Sequence, residues 1–189
     1  MIKLVVGLGN PGNEYENTRH NIAWILLDSY LSNKNWKSKF KGEYTDDSID
    51  GEKRFFLKPM TYMNLSGESV RPLCDFFKIK PSEVLVIQDE LDLPFGQIAF
   101  KKGGGLAGHN GLKSIAQHLG TQDFLRLRMG IGRPDKGSVS NWVLGKFPSD
   151  LQNDLDKIIK GSEEAINIAL KSGFERAATK YSKKDFLKG

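Results

Sequence analysis

His20, Asp89 and three carboxamides, Asn10, Asn64 and Asn110, are side chains whose types fit hydrolytic chemistry. A histidine beside a carboxylate is a minimal general-base pair: Asp89 would hold one ring N–H and leave the other nitrogen to take a proton from water. A carboxamide offers a donor and an acceptor in one rigid, uncharged group, which suits recognition of a peptide unit and stabilisation of an oxyanion. Each residue taken singly has a plainer role. Asn10 and Asn64 fit turns, Asp89, His109 and Asn110 fit helix caps, and His20 fits an exposed surface. No G-x-S-x-G elbow is present to supply a serine nucleophile, so water is the expected nucleophile.

These residues are distant in sequence, and the elements between them must bring them together. Ile2 to Leu8 (IKLVVGL) reads as a buried strand that stops at the turn-rich Gly9-Asn10-Pro11-Gly12. A helix from about Arg19 to Ser32 follows, with Thr18 as N-cap candidate and Ile22, Ile25, Leu26 and Tyr30 on one stripe. Gly42 to Thr45 and Lys53 to Leu57 read as a hairpin around the polar turn Asp46 to Gly51. Ser66 is placed to cap a helix carrying Val70, Leu73, Cys74 and Phe77, with Pro72 tolerable in its first turns.

Val84 to Gln88 (VLVIQ) is a second buried strand, ending at Asp89-Glu90. Ile98 to Lys101 is a short strand before the Gly103-Gly104-Gly105 loop, and a helix from about Asn110 to Leu119 follows. Phe124 to Gly130 alternates, so Leu125, Leu127 and Met129 share one face and Arg126 and Arg128 the other. Helical patterns occupy Ser149 to Ser172 and about Phe174 to Tyr181. Strands alternating with helices predict one α/β domain over residues 1–189, a mixed, largely parallel twisted sheet flanked by helices. In such sheets the carboxyl ends of the strands form the ligand crevice, where Asn10, His20, Asn64, Asp89, His109 and Asn110 would converge.

Composition narrows the class. One cysteine, Cys74, cannot form an internal disulfide, and three histidines with one thiol make a closed structural zinc site a poor expectation. No apolar run approaches the about 20 residues of a membrane helix, and Met1 leads directly into a strand-like stretch, so a cytoplasmic protein is expected. The formal net charge is +5, and residues 101–150 hold eight Lys/Arg against three Asp/Glu. A basic segment of this kind favours polyanions without naming one. Gly7-Leu8-Gly9-Asn10-Pro11-Gly12 has the spacing of a dinucleotide loop, yet Pro11 removes a donor and Asn13 to Asn17 separate the last glycine from the helix.

The ordered motifs Val6 to Gly12 with Tyr15, Thr18-Arg19-His20-Asn21, Met63-Asn64-Leu65-Ser66-Gly67, Asp89-Glu90-Leu91-Asp92-Leu93-Pro94 and Gly103 to Lys113 together resemble the bacterial peptidyl-tRNA hydrolases. The resemblance runs from about residue 1 to Gly145 and departs from the family pattern at Ala23 and Ala99. It implies a monomeric α/β enzyme, needing no cofactor or metal, that cleaves the ester joining a peptide to the 3′ ribose of tRNA. By position, His20 is implied as the base and Asp89 as its orienting partner, with Asn10, Met63 and Asn64 lining the site. Asn110, with His109 beside it, is implied to hold the water and the peptidyl group, Tyr15 to sit by the terminal nucleotide, and Lys101 and Arg128 to contact the acceptor stem. Lys113 belongs to the same basic segment, as do Lys102, Arg126, Arg133, Lys136 and Lys146, and some of these would meet phosphates. Preference for N-blocked aminoacyl groups is also expected, since an ammonium facing carboxamides without a counter-charge loses hydration. A non-catalytic tRNA-binding protein and a dinucleotide-dependent oxidoreductase are the competing readings.

Overall fold

The computed structural model describes residues 1–188. The strands are β1 (Leu4–Gly7), β2 (Lys37–Lys39), β3 (Gly42–Ile49), β4 (Glu52–Pro59), β5 (Val84–Glu90), β6 (Gln97–Lys102), β7 (Leu125–Gly130) and β8 (Lys184–Asp185). They form one sheet in the order β2-β3-β4-β1-β5-β7-β6-β8. The central strands β4, β1, β5 and β7 are parallel neighbours, and β2, β3, β6 and β8 extend the sheet on both sides as antiparallel strands. The mixed α/β sheet expected from the sequence is present, with its parallel part at the centre. Every residue of β1 and β5 is buried, which is why these strands read as unbroken apolar runs.

The helices are α1 (Ile22–Tyr30), α2 (Gly67–Phe77), α3 (Asn110–Leu119), α4 (Val139–Val143), α5 (Gln152–Ser172) and α6 (Phe174–Lys180). Period-two alternation in the strands sorts the core into two layers. Val5, Leu85, Ile87 and Leu127 pack with Ile22 and Leu26 of α1 and Ile158 and Ile166 of α5. Leu4, Val6, Val84 and Val86 pack with Val70 and Leu73 of α2 and Leu112 and Ile115 of α3. No helix among the described residues is long and apolar enough to cross a membrane.

Several boundaries differ from the sequence reading. The helix expected from Arg19 starts at Ile22, after a 3-10 turn over Arg19–Asn21, and the Thr18 hydroxyl donates to the Tyr15 carbonyl rather than capping. Ser66 likewise spends its hydroxyl on the Met63 carbonyl at 2.7 Å. Pro72 is the sixth residue of α2, beyond the first turn, and its ring lies on the exposed side. The β3–β4 hairpin is longer than expected because Asp46 to Ser48 stay paired with Phe55 to Lys53 instead of forming the turn, and Thr45 and Ile49 are buried. Strand β5 runs through Asp89 and Glu90 because its ladder with β7 continues to Gly130. The three-residue β2, α4 and the two-residue β8 lack a periodic signal at that length.

Arg126 corrects an expectation about charge. It is 2% exposed, and its Nη2 donates to the carbonyls of Gly103 at 2.9 Å and Gly105 at 3.0 Å. The side chain braces the glycine loop from beneath and is withdrawn from any phosphate.

Gly9, after β1, serves packing. A Cβ at Gly9 would lie 2.6 Å from the Trp24 ring, and the Trp24 indole N–H donates to the Gly7 carbonyl at 2.7 Å. Helix α1 thus presses its first turn onto the backbone that a nucleotide loop would offer to pyrophosphate. Gly9→Ala is expected to lower stability by about 1–3 kcal/mol through overpacking. An unchanged urea midpoint and slope for this variant would refute the contact.

Candidate active site

Because β1, β4, β5 and β7 are parallel, their carboxyl ends open on one edge of the sheet. Asn10 follows β1, the 3-10 turn Met63–Leu65 follows β4, Asp89 and Glu90 end β5, and Arg133 follows β7. A cleft of about 580 Å³ opens there, walled on its far side by Val139, Ser140 and Val143 of α4.

At its floor the Asp89 carboxylate, 4% exposed, sits between two imidazoles. Its Oδ2 lies 2.7 Å from His20 Nδ1 and its Oδ1 lies 2.8 Å from His109 Nε2. The tautomer of His109 follows from its other nitrogen: Nδ1 accepts the backbone N–H groups of Gly111 at 3.2 Å and Leu112 at 3.3 Å, capping α3. Nε2 of His109 therefore carries the proton and donates to Asp89. Asp89, ionised, accepts from His20 Nδ1–H as well, which leaves Nε2 of His20 as the ring's basic nitrogen. The two rings are 5.4 Å apart, centre to centre.

Burial would raise the Asp89 pKa, but the electrostatic attraction of the imidazoles, His20 first, and the hydrogen bonds that both rings donate hold the carboxyl well below the usual carboxylate range. His20, Asp89 and His109 each present a ligand atom within 4.8 Å of the others, close enough to surround a metal ion. Both ring nitrogens that face Asp89 hold protons in this arrangement, so a cation would have to displace two hydrogen bonds to enter.

The carboxamides are held by main chain. Asn21 clamps the Asn10 backbone, its Oδ1 accepting the Asn10 N–H and its Nδ2 donating to the Asn10 carbonyl, each at 2.9 Å. The Asn10 side-chain oxygen accepts the Met63 N–H at 2.7 Å, leaving its Nδ2 hydrogens without a protein acceptor among the described residues. Met63 is 5% exposed and packs on the first turn of α3, where a Cβ on Gly111 would meet its sulfur at 2.6 Å. Gly67 lets α2 and α3 cross in contact: its N–H donates to the Ser114 hydroxyl at 2.8 Å, and a Cβ there would lie 2.3 Å from the Ser114 carbonyl. Asn64 and Asn110 are exposed at the cleft, and Tyr15 meets Tyr62 edge to face at its rim.

Eight of the expected residues thus line one cleft: Asn10, Tyr15, His20, Met63, Asn64, Asp89, His109 and Asn110. Lys101, Arg128 and Lys113 do not line it. Arg128 Nη1 stands 3.7 Å from Glu90, a cleft residue, and Lys101 lies under Gly104 of the glycine loop. Lys113 is exposed beside a separate shallow depression with Leu106 and Gln122. The sequence reading gave no site role to Asn21, Glu90 or α4. The Ser138 cap, which accepts the Asn141 N–H at 3.1 Å, was the one local sign of that helix. The site also holds more negative charge than expected, since Glu90 and Asp92 line it with Asp89. Each has a partner: Arg128 for Glu90, Arg133 for Asp92 at 2.7 Å, and two imidazoles for Asp89.

Fold and site together define an open α/β protein with a carboxylate-bridged histidine pair at the carboxyl edge of its parallel strands. The family model described as peptidyl-tRNA hydrolase matches residues 4–188. The chain is 45% identical over 184 residues to a peptidyl-tRNA hydrolase of Listeria welshimeri, covering 96% of this chain and 100% of that one. It is 47% identical over 174 residues to that of Oceanobacillus iheyensis, covering 90% and 93%. The crystal structure of peptidyl-tRNA hydrolase from Acinetobacter baumannii superposes with a TM-score of 0.90 at 38% identity, covering 98% of this chain and 96% of that one. The chain belongs to the peptidyl-tRNA hydrolase family.

The depressed Asp89 pKa has a stability consequence of definite sign. Unfolded, an Asp titrates near about 3.9, and folded it titrates lower, so Asp89 stabilises the fold fully above the unfolded value and loses that contribution as pH falls toward the folded one. The stability advantage of the wild type over Asp89→Asn is expected to be constant above about pH 5 and to shrink on acidification below about pH 4. Chemical denaturation of both proteins across that range checks this, and a gap that widens with acid would contradict it.

Proposed function

We propose that the protein hydrolyses the ester joining a peptide, or an N-blocked amino acid, to the 3′ ribose of tRNA, with water as nucleophile. The observation that carries this reading is the His20–Asp89 hydrogen bond at 2.7 Å on the floor of an open cleft, in a chain of the peptidyl-tRNA hydrolase family. Asp89 accepts the Nδ1–H of His20 and favours the tautomer whose Nε2 takes a proton from water. The water oxygen bonds to the ester carbonyl carbon, and the carbonyl electrons become an oxyanion that amide hydrogens of Asn10 and Asn110 can meet. The oxyanion collapses, the bond to the ribose 3′ oxygen breaks, and the imidazolium returns its proton to that oxygen. The products are a carboxylic acid, which loses its remaining water proton to solvent, and a free 3′ hydroxyl.

Asp89, His109 and Asn110 form a chain of positioning. His109 binds the second Asp89 oxygen and caps α3, and Asn110 is the first residue of that helix, so the site of the nucleophile and the oxyanion donor share one anchor. Exclusion of an amino group is supported by the engaged state of the cleft carboxylates: an entering ammonium would meet acids already paired. Lys101, Lys102, Lys113, Lys136 and Lys146 have no ion-pair partner among the described residues, which leaves them for the tRNA backbone. The reading is completed by a monomer working in the cytoplasm, with the acceptor stem over the glycine loop. The dinucleotide reading is disfavoured by the Trp24 ring against Gly9.

The purified protein is expected to release N-acetyl-amino acid from N-acetyl-aminoacyl-tRNA and to leave unblocked aminoacyl-tRNA largely intact, and His20→Ala should lose about 10²–10⁴-fold in rate with the fold retained. Retained cleavage in His20→Ala would overturn the base assignment, and tRNA binding without cleavage by the wild type would favour a binding protein. Lys101→Ala should reduce the slope of log affinity against log salt for tRNA by about one ion. An unchanged slope would remove Lys101 from the interface.

A further inference from the structure

At the edge of the sheet opposite the cleft, where β4 begins, Arg54 is buried with 3% of its surface exposed. It stands opposite Asp47 in the β3–β4 ladder, but that carboxylate is engaged by Lys34 at 3.0 Å and by the Ser48 N–H at 2.9 Å. No carboxylate among the described residues lies within ion-pair distance of the Arg54 guanidinium, whose hydrogen bond is from Nη1 to the Ile2 carbonyl at 2.8 Å. Its Nε is buried with no acceptor. A guanidinium has five N–H donors and stays protonated, so this is a charge withdrawn from water and left incompletely answered. Buried charges are ordinarily paired.

Arg54 borders a cavity of about 240 Å³ between the start of β1 and the last turn of α5. Ile2, Leu125, Leu170 and Phe174 give it apolar walls. We propose that this cavity is a second ligand site that takes a small carboxylate with a short hydrocarbon tail. The carboxylate meets the part of the Arg54 guanidinium not already given to the Ile2 carbonyl, in a charge-assisted hydrogen bond. The tail lies along the apolar walls. The carboxyl end of α5 at Ser172 brings a partial negative charge that opposes any anion there, a phosphate dianion more than a monoanion.

The test uses hexanoate as the probe, with hexanamide as its neutral counterpart and inorganic phosphate as a tailless anion, all at fixed chloride. Titration is followed at the Arg54 Nε–H resonance of the ¹⁵N-labelled wild type and by calorimetry. Hexanoate is expected to shift that resonance saturably and to bind at least about tenfold more tightly than hexanamide or phosphate, as a charge-assisted hydrogen bond allows. Arg54→Met should lose the binding by a similar factor, and His20→Ala should keep it. Equal binding of hexanamide, preference for phosphate, loss in His20→Ala, or no saturable shift by about 10 mM, a concentration corresponding to very weak affinity, would each overturn the proposal. The wild-type resonance decides the matter even if Arg54→Met does not fold.

Discussion

The Asp89 carboxylate is the constraint on which the rest of the cleft depends. It is buried and ionised, and it endures there because two imidazoles donate to its two oxygens. That group accepts the Nδ1–H of His20 and the Nε2–H of His109, whose tautomer the backbone amides of α3 also require. It orients His20 with Nε2 left unbonded, and it ties the carboxyl end of β5 to the N-cap of α3 through His109. The 3-10 turn before α1, the end of a central strand and the start of α3 are thereby brought to one point, although Arg19–Asn21 and Asn110 are remote in sequence.

Close backbone approach is the second constraint, and it explains residues whose motifs invite another reading. Gly9 accommodates the Trp24 ring and Gly67 the crossing of α2 over α3. Both contacts set the height of a carboxamide or main-chain group over the cleft floor: Asn10 follows Gly9, and Met63, whose N–H holds Asn10, packs on α3. A glycine-rich sequence here marks tight packing of helix on strand, and two of the loop amides are committed within the protein, the Leu8 N–H to the Ile87 carbonyl and the Asn10 N–H to Asn21.

The basic segment divides by location into two groups. Arg126, Arg128 and Arg133 are spent within the protein, on glycine-loop carbonyls, on Glu90 and on Asp92. The lysines around them remain outside. Arginine forks suit fixed internal geometry, and lysine ammonium groups on flexible stems suit a phosphate backbone whose exact placement varies. Arg54, outside this segment, is a buried guanidinium with one hydrogen bond, from Nη1 to the Ile2 carbonyl, where the buried Arg126 holds two loop carbonyls.

The sequence alone determined the mixed α/β class, α3 from Asn110 to Leu119, the alternation of β7, and the grouping of Asn10, His20, Asn64, Asp89, His109 and Asn110 at strand ends, because periodicity and turn residues act locally. It did not determine that Asp89 lies inside β5, that Arg126 is interior while Arg128 is partly exposed, or that α4 walls the cleft. Nor did it determine that His109 caps a helix and binds Asp89 at once. Alternation says which residues share a face, but what covers that face depends on the glycine loop returning over β7 and on α3 docking against α2. Those are contacts between segments far apart in the chain, and no local pattern encodes them.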